Sequence, residues 1–130
     1  MQYRPIEVVQ TYFKSLQSGD FSTLQTLFSD SVVWHQPGNG KLSGLYNGKD
    51  AVFALFGKFM EISQGSFRID QVKQIMENGD SVAATLTFSA AKDGEKISMD
   101  GVDLMKVTHG KIAEVWLFSG DQAAEDAFWS

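Results

Sequence analysis

Apolar residues recur at helical spacing in three segments of the N-terminal half of the chain. Between Ile6 and Leu16 they lie three or four positions apart, which is typical of one buried helix face. A short second segment, which Ser22 is suited to cap, and a third segment over about 48–62 repeat this spacing. The sequence therefore predicts three helices before residue 63.

After residue 66 the period changes, and apolar residues alternate with polar ones. Alternation is typical of strands that bury one face. A shift of parity between Ile69 and Val72 predicts a bulge in the first of these strands. Three hairpin signals then divide the segment into four strands, the last over 111–119, and one more strand is predicted over 32–36. The hairpin signals are Asn78-Gly79, Asp93-Gly94 and His109-Gly110.

This order of elements predicts the fold class. Helices that are segregated from a run of antiparallel strands indicate an α+β domain, with the three helices on one face of a curved sheet. The 130 residues suit a single domain over 1–130.

Composition and charge exclude several classes of function. The net charge is -5 and the basic residues form no stripe, so we expect neither nucleic acid nor a membrane as partner. No apolar run approaches 18 residues, and the first residues do not resemble a signal peptide, so a cytoplasmic location is expected. The chain has no Cys and two widely separated His, and the Gly-rich loop over 37–44 fits no nucleotide-binding motif. We therefore expect no metal and no cofactor.

Side-chain parity brings polar groups onto apolar strand faces. Asp103 shares a face with Met99 and Met105, and an acid in the middle of an apolar face requires a partner. On the first strand, Trp34 and Gln36 share a face. His35 points the opposite way, unless the following Pro-Gly rotates it.

On the last strand, Val115 and Leu117 share a face. Asp121 keeps their parity if the strand stays extended through Gly120, and it would then lie at the end of the apolar face. In the alternative, Asp121 is a turn residue or a helix cap that precedes the segment QAAEDAF. Both interpretations remain open from the sequence.

The opposite faces of the last two strands are apolar as well. They carry Val102, Leu104, Trp116 and Phe118. Three helices cannot cover both faces of a sheet in so short a chain. The sequence therefore predicts a homodimer in which a second copy covers the open face.

Three long stretches resemble the NTF2-like superfamily, and within it the SnoaL-like relatives of polyketide cyclases and ketosteroid isomerases. They are VVQTYFKSLQSGDFSTLQTLFSDSVVWHQPG, LSGLYNGKDAVFALF and DGVDLMKVTHGKIAEVWLFSGD, which together span nearly the whole chain. The resemblance implies a cone-shaped sheet wrapped around helices, with a ligand cavity in its mouth and usually a dimer. It specifies the fold better than the reaction, because this fold hosts isomerases, cyclases, hydrolases and non-enzymes.

The ketosteroid isomerases bind the substrate oxyanion through a Tyr on the first helix and a protonated Asp on a late strand. Tyr12 and Asp103 match those two positions. The position of the isomerase base is occupied by Gln36, and an amide cannot abstract a proton. The resemblance thus argues against steroid isomerisation by that mechanism.

The limonene epoxide hydrolases and polyketide cyclases place an acid/base Asp shortly after a Trp on the last strand. Trp116 followed by Asp121 is similar to that arrangement. In the hydrolases an aromatic residue and an amide on the first strand help to hold water, and Trp34 and Gln36 correspond to them. The Arg–Asp pair of those hydrolases is not evident.

Three hypotheses follow for the function. The first is a cofactor-independent isomerase, cyclase or hydrolase that acts on an apolar oxygenated compound by acid/base chemistry. The second is a protein that binds such a ligand without converting it, and the third is a dimeric interaction domain. The catalytic candidates are Asp121, Asp103, Tyr12 and His35. The substrate-binding candidates are Trp34, Gln36, Met99, Met105, Val115 and Leu117.

Overall fold

Four helices and one six-stranded sheet make up the computed structural model, which describes residues 4–130. The helices are α1 (Pro5–Ser18), α2 (Phe21–Leu27), α3 (Lys49–Ile62) and α4 (Gln122–Phe128). The strands are β1 (Phe28–Gln36), β2 (Gly44–Asn47), β3 (Arg68–Asn78), β4 (Ser81–Lys92), β5 (Glu95–Thr108) and β6 (Lys111–Ser119). The predicted α+β class is confirmed, and no helix of residues 4–130 has the length and apolar character needed to cross a membrane.

Local signals set the ends of α1. Pro5 occupies its first turn, where a missing N–H costs nothing, and the Glu7 side chain accepts a hydrogen bond from the Arg4 backbone at 3.0 Å. Gly19 ends the helix with a φ of 72°, a left-handed conformation that glycine adopts at little cost. The helix therefore buries Val9, Tyr12 and Phe13 against the sheet.

The sheet has the strand order β2-β1-β6-β5-β4-β3. Four of its neighbouring pairs are antiparallel, but β1 pairs with β6 in parallel. The sequence predicted an antiparallel sheet, and the parallel pair arises because β1, from the N-terminal half, lies beside the last strand. The predicted bulge is confirmed, because the β3–β4 register shifts between Ile69 and Gln71 and again between Val72 and Gln74.

The sequence did not predict the edge strand β2, and it indicated the C-terminal helix α4 only as the alternative in which Asp121 is a helix cap. β2 has only four residues, too few for alternation to be recognised, and α4 has only seven. β1 also begins at Phe28 rather than at residue 32, directly after α2.

The two faces of the sheet have different environments. The inner face packs on α1 and α3, and its fully buried members include Val32, Leu86, Met105 and Val115. The outer face bears Val102, Leu104, Trp116 and Phe118, and 58% of Phe118 is exposed. One face of the sheet is therefore covered by the chain's own helices, and the other is not.

Candidate functional site

A carboxyl and a phenol meet on the inner face of the sheet. Asp103 lies in the middle of β5, opposite Ala84 on one side and Leu117 on the other. Tyr12 projects from α1, is 2% exposed and packs edge-on against Phe28 with ring centroids 5.7 Å apart. The two residues that the sequence selected from opposite ends of the chain are thus brought together.

The protonation of these two groups follows from their apolar surroundings. Burial raises the pKa of Asp103 to about 7, and the negative charge of Glu125 contributes to the rise. Burial also raises the pKa of Tyr12 well above its usual value, with a further contribution from the charge of Asp103. No hydrogen bond from a residue within 4–130 offsets either effect. Tyr12 therefore keeps its proton, and Asp103 exchanges its proton near neutral pH.

The end of β1 supplies an aromatic ring and an amide on the same face. The Trp34 indole Nε1 donates a hydrogen bond to the Gln36 side-chain oxygen at 3.0 Å, and both residues are buried. The Trp34 ring also packs edge-on against Phe56, with centroids 5.1 Å apart. This bond orients the Gln36 amide and leaves its NH₂ group as a donor.

Glu125 of α4 is a buried carboxylate that sequence reasoning missed. It is 6% exposed and accepts three hydrogen bonds, from Ser119 Oγ at 2.6 Å, Gln122 Nε2 at 3.1 Å and Trp129 Nε1 at 3.2 Å. The available signal was helical spacing, because Glu125, Phe128 and Trp129 lie three and four positions apart on one helix face. The mixed composition of this short segment concealed that periodicity.

Asp121, which was expected to act as acid or base, does not join this cluster. Gly120 donates a backbone hydrogen bond to the Asp100 carbonyl at 2.8 Å, and the chain turns there, so the parity of β6 does not extend to Asp121. The Asp121 side chain is exposed and accepts a hydrogen bond from the Ala124 backbone at 3.1 Å. It is the N-cap of α4, as the alternative interpretation held.

His35 lies on the opposite side of the sheet. Its Nε2 is 2.6 Å from a carboxylate oxygen of Glu114, and its ring stacks on Trp116 with centroids 5.3 Å apart. Both partners belong to the outer face of β6. The parity of β1 therefore continues through His35, and the structure separates it from Asp103 and Tyr12.

The remaining substrate-binding candidates all lie on the inner face, but at different depths. Met105 and Val115 are fully buried, so they belong to the packed core. Met99 and Leu117 are partly buried and pack against that core. Leu117, opposite Asp103, is the apolar neighbour of the carboxyl.

The C-terminal helix and the Gly-rich loop close one end of the inner face. The Asn39 backbone donates a hydrogen bond to Asp126 at 2.9 Å, and Lys92 binds the Phe128 carbonyl. Gly38 is required there, because its φ is 86° and a Cβ would lie 2.7 Å from the Asp126 carboxyl carbon. The Trp129 ring packs on Phe59, with centroids 4.8 Å apart.

Within residues 4–130, no group of three or more His, Asp or Glu side chains is arranged to hold a metal ion. The chemistry available at the inner face is that of a titrating carboxyl, a phenol, an amide and a second carboxylate. Such groups transfer or share protons with an oxygen-bearing ligand.

Comparisons with known proteins agree with this architecture. A protein of unknown function with a cystatin-like fold from Xanthomonas campestris is 44% identical, with 98% of this chain and 99% of that one covered and a TM-score of 0.95. An uncharacterised protein of Mycobacterium tuberculosis is 26% identical, with 96% of this chain and 95% of that one covered. TerC, co-crystallised with polyporic acid, is 19% identical with a TM-score of 0.83, covering 96% of this chain and 97% of that one, and shares the fold.

The family model for the SnoaL-like domain matches residues 9–115. This match includes Tyr12, Trp34, Gln36 and Asp103, whereas Glu125 and α4 lie beyond it. The chain belongs to the SnoaL-like family, and it has the NTF2-like fold.

Proposed function

We propose that this protein is a cofactor-independent enzyme that converts an apolar, oxygenated small molecule by acid/base chemistry at the inner face of the sheet. One observation carries the proposal. The Asp103 carboxyl and the Tyr12 phenol converge in an apolar interior, and neither is engaged by a hydrogen bond within residues 4–130. Both groups therefore have hydrogen-bonding capacity that the oxygen of a ligand would use.

The two groups act as hydrogen-bond donors to one substrate oxygen. Tyr12 keeps its proton because burial raises its pKa, and Asp103 donates in its protonated form. Donors fixed in a low-dielectric site stabilise negative charge that develops on an oxygen during reaction. Gln36, oriented by Trp34, offers its NH₂ group as an additional polar contact.

The surroundings define the class of substrate. The aromatic rings of Trp34 and Phe56 and the apolar side chains of Met99 and Leu117 favour a hydrophobic body. The donors favour a carbonyl, lactone or epoxide oxygen. The fold is shared with TerC, whose structure contains polyporic acid.

A second candidate function is binding without conversion. The observation that favours it is Gln36, because the corresponding position of the ketosteroid isomerases carries the base, and here the amide oxygen accepts the indole hydrogen bond. In that case the same inner face holds the ligand, and no proton acceptor is needed.

A second copy of the chain is the proposed partner of the outer face. Trp116 and Phe118 lie there beside Val102, next to a groove of about 400 Å³ that Lys73 also lines. A twofold axis brings the same patch of two copies together. Association would remove the exposed Phe118 from water.

A ligand screen followed by a turnover assay tests the proposal. The wild type, Asp103→Leu and Asp121→Leu are screened by thermal shift against lactones, epoxides, cyclic ketones and aromatic polyketide fragments. A ligand at about 100 times its dissociation constant adds about 2.7 kcal/mol of stability. Asp121→Leu is the matched control, because it makes the same side-chain change at an exposed helix cap.

We expect compounds that stabilise the wild type and Asp121→Leu to be converted by both, and Asp103→Leu to lose conversion, because leucine cannot donate a hydrogen bond. Binding without product over long incubation would favour the binding protein over the enzyme. A folded wild type that responds to none of these compounds would contradict the proposed substrate class.

A further inference from the structure

We propose that Glu125 is a positioning residue of this site, whose carboxylate, carried into the interior by the C-terminal helix, keeps Asp103 in its protonated, hydrogen-bond-donating form. The catalytic meaning of this inference rests on the proposed function. The effect on protonation does not, and it can be measured without a substrate.

The Glu125 side chain is held in one position. Both of its carboxylate oxygens accept hydrogen bonds, Oε1 from Ser119 and Gln122 and Oε2 from Trp129. Three donors and no acceptor suit a carboxylate anion. The side chain is 6% exposed, so water screens its charge little.

The Glu125 carboxylate lies beside Asp103. On the inner face, Leu117 is opposite Asp103 and Ser119 is opposite Gly101, so Ser119 is the diagonal neighbour of Asp103. Diagonal neighbours of an antiparallel pair are roughly 7–8 Å apart. Because Glu125 Oε1 is 2.6 Å from Ser119 Oγ, the carboxylate lies over the corner of the sheet next to Asp103.

Among residues 4–130, no cation contributes to the pKa of Asp103. The groups that face Asp103 are Tyr12 from α1, Glu125 from α4, Ala84 from β4 and Leu117 from β6. Of these, Tyr12 stays neutral and the strand neighbours do not titrate. Burial is the larger cause of the raised pKa of Asp103, and the charge of Glu125 is the second. Two carboxylates in one apolar site do not both ionise easily, so the charge of Glu125 favours the protonated form of Asp103.

In this proposal α4 has an electrostatic function in addition to packing at one end of the inner face. The helix places a charge in the interior while Asp126, next in sequence, points to the loop and binds Asn39 and Gln122. Of two adjacent acids on one helix, one therefore acts on the site and the other on the loop. This pair provides a matched control.

The test is a carbon-13 NMR titration of the Asp103 side-chain carboxyl, with the signal assigned by its loss in Asp103→Asn. It is performed on the wild type, Glu125→Gln and Asp126→Asn. We expect the Asp103 midpoint to fall in Glu125→Gln while remaining above the ordinary aspartate value, because burial persists. We expect Asp126→Asn to keep the wild-type midpoint. An unchanged midpoint in Glu125→Gln, or an equal fall in both variants, would overturn the proposal.

If Glu125→Gln does not fold, the carbon-13 titration of the wild type alone tests the inference. Because coupling between two sites is reciprocal, the Glu125 carboxyl signal should show an inflection at the pH at which Asp103 titrates. A Glu125 signal that is flat through that pH would overturn the inference. A failed turnover assay leaves these titrations unaffected, so the two proposals fail separately.

Discussion

The indole N–H of Trp34 donates a hydrogen bond to the side-chain oxygen of Gln36, two positions further along β1, at 3.0 Å. Alternate residues of a strand share a face, so both side chains point to the inner side of the sheet. They are 4% and 7% exposed, so the bond is sheltered from water. At the position where the ketosteroid isomerases carry their base, this chain has the Gln36 amide, which is held in one orientation.

The Trp34–Gln36 bond can be measured by a double-mutant cycle. Gln36→Leu leaves the indole N–H buried without its acceptor, and we expect the free energy of unfolding to fall by about 1–3 kcal/mol. Trp34→Phe combined with Gln36→Leu should cost less than the sum of the two single changes, because no unpaired polar group remains. Urea denaturation gives all four stabilities. A double variant whose loss equals the sum would show that the bond does not couple the two residues.

The raised pKa of Asp103 predicts how stability depends on pH. Folded Asp103 titrates at about pH 7, against an ordinary value of 3.8. Between these values the native state holds a proton that the unfolded chain has lost. The stability contributed by Asp103 is therefore fully present below about pH 4 and is lost as the pH rises through 7. In this range the folding equilibrium constant falls by at most about tenfold per pH unit.

Asp103→Asn isolates this effect, because the amide cannot titrate. Denaturation curves of the wild type and the variant at several pH values cancel the contributions of other groups. We expect the stability of the wild type relative to the variant to decrease between about pH 4 and about pH 8. A constant difference would show that Asp103 is an ordinary carboxyl in the folded protein.

The sequence predicted side-chain directions correctly inside long, regular strands. Strand parity placed Asp103 on an apolar sheet face and Trp34 on the same face as Gln36, whereas Tyr12 was selected by the family resemblance. These residues lie inside long elements, where each side chain's direction follows from its neighbours. The bulge in β3 was visible for the same reason, as a break in the alternation.

The same reasoning failed where the chain changes direction. Parity carried through Gly120 would place Asp121 on the inner face, but the turn there makes Asp121 a helix cap, which was the other interpretation left open by the sequence. The interior carboxylate comes instead from Glu125, one helical turn later. Its position depends on how α4 docks against Ser119 and Trp129, a tertiary contact that no local pattern encodes.

The exposed apolar side chains on the outer face of the sheet predict a dimer in solution. If two copies associate through it, the native mass in solution is twice the 14.4 kDa of one chain. Phe118 is 58% exposed, so Phe118→Glu places a charge on this face with little disturbance of the core, and we expect the monomer mass by light scattering. Phe21→Glu is the control, because Phe21 is also exposed (52%) but begins α2. A dimer that persists in Phe118→Glu, or is lost equally in Phe21→Glu, would contradict association through the outer face.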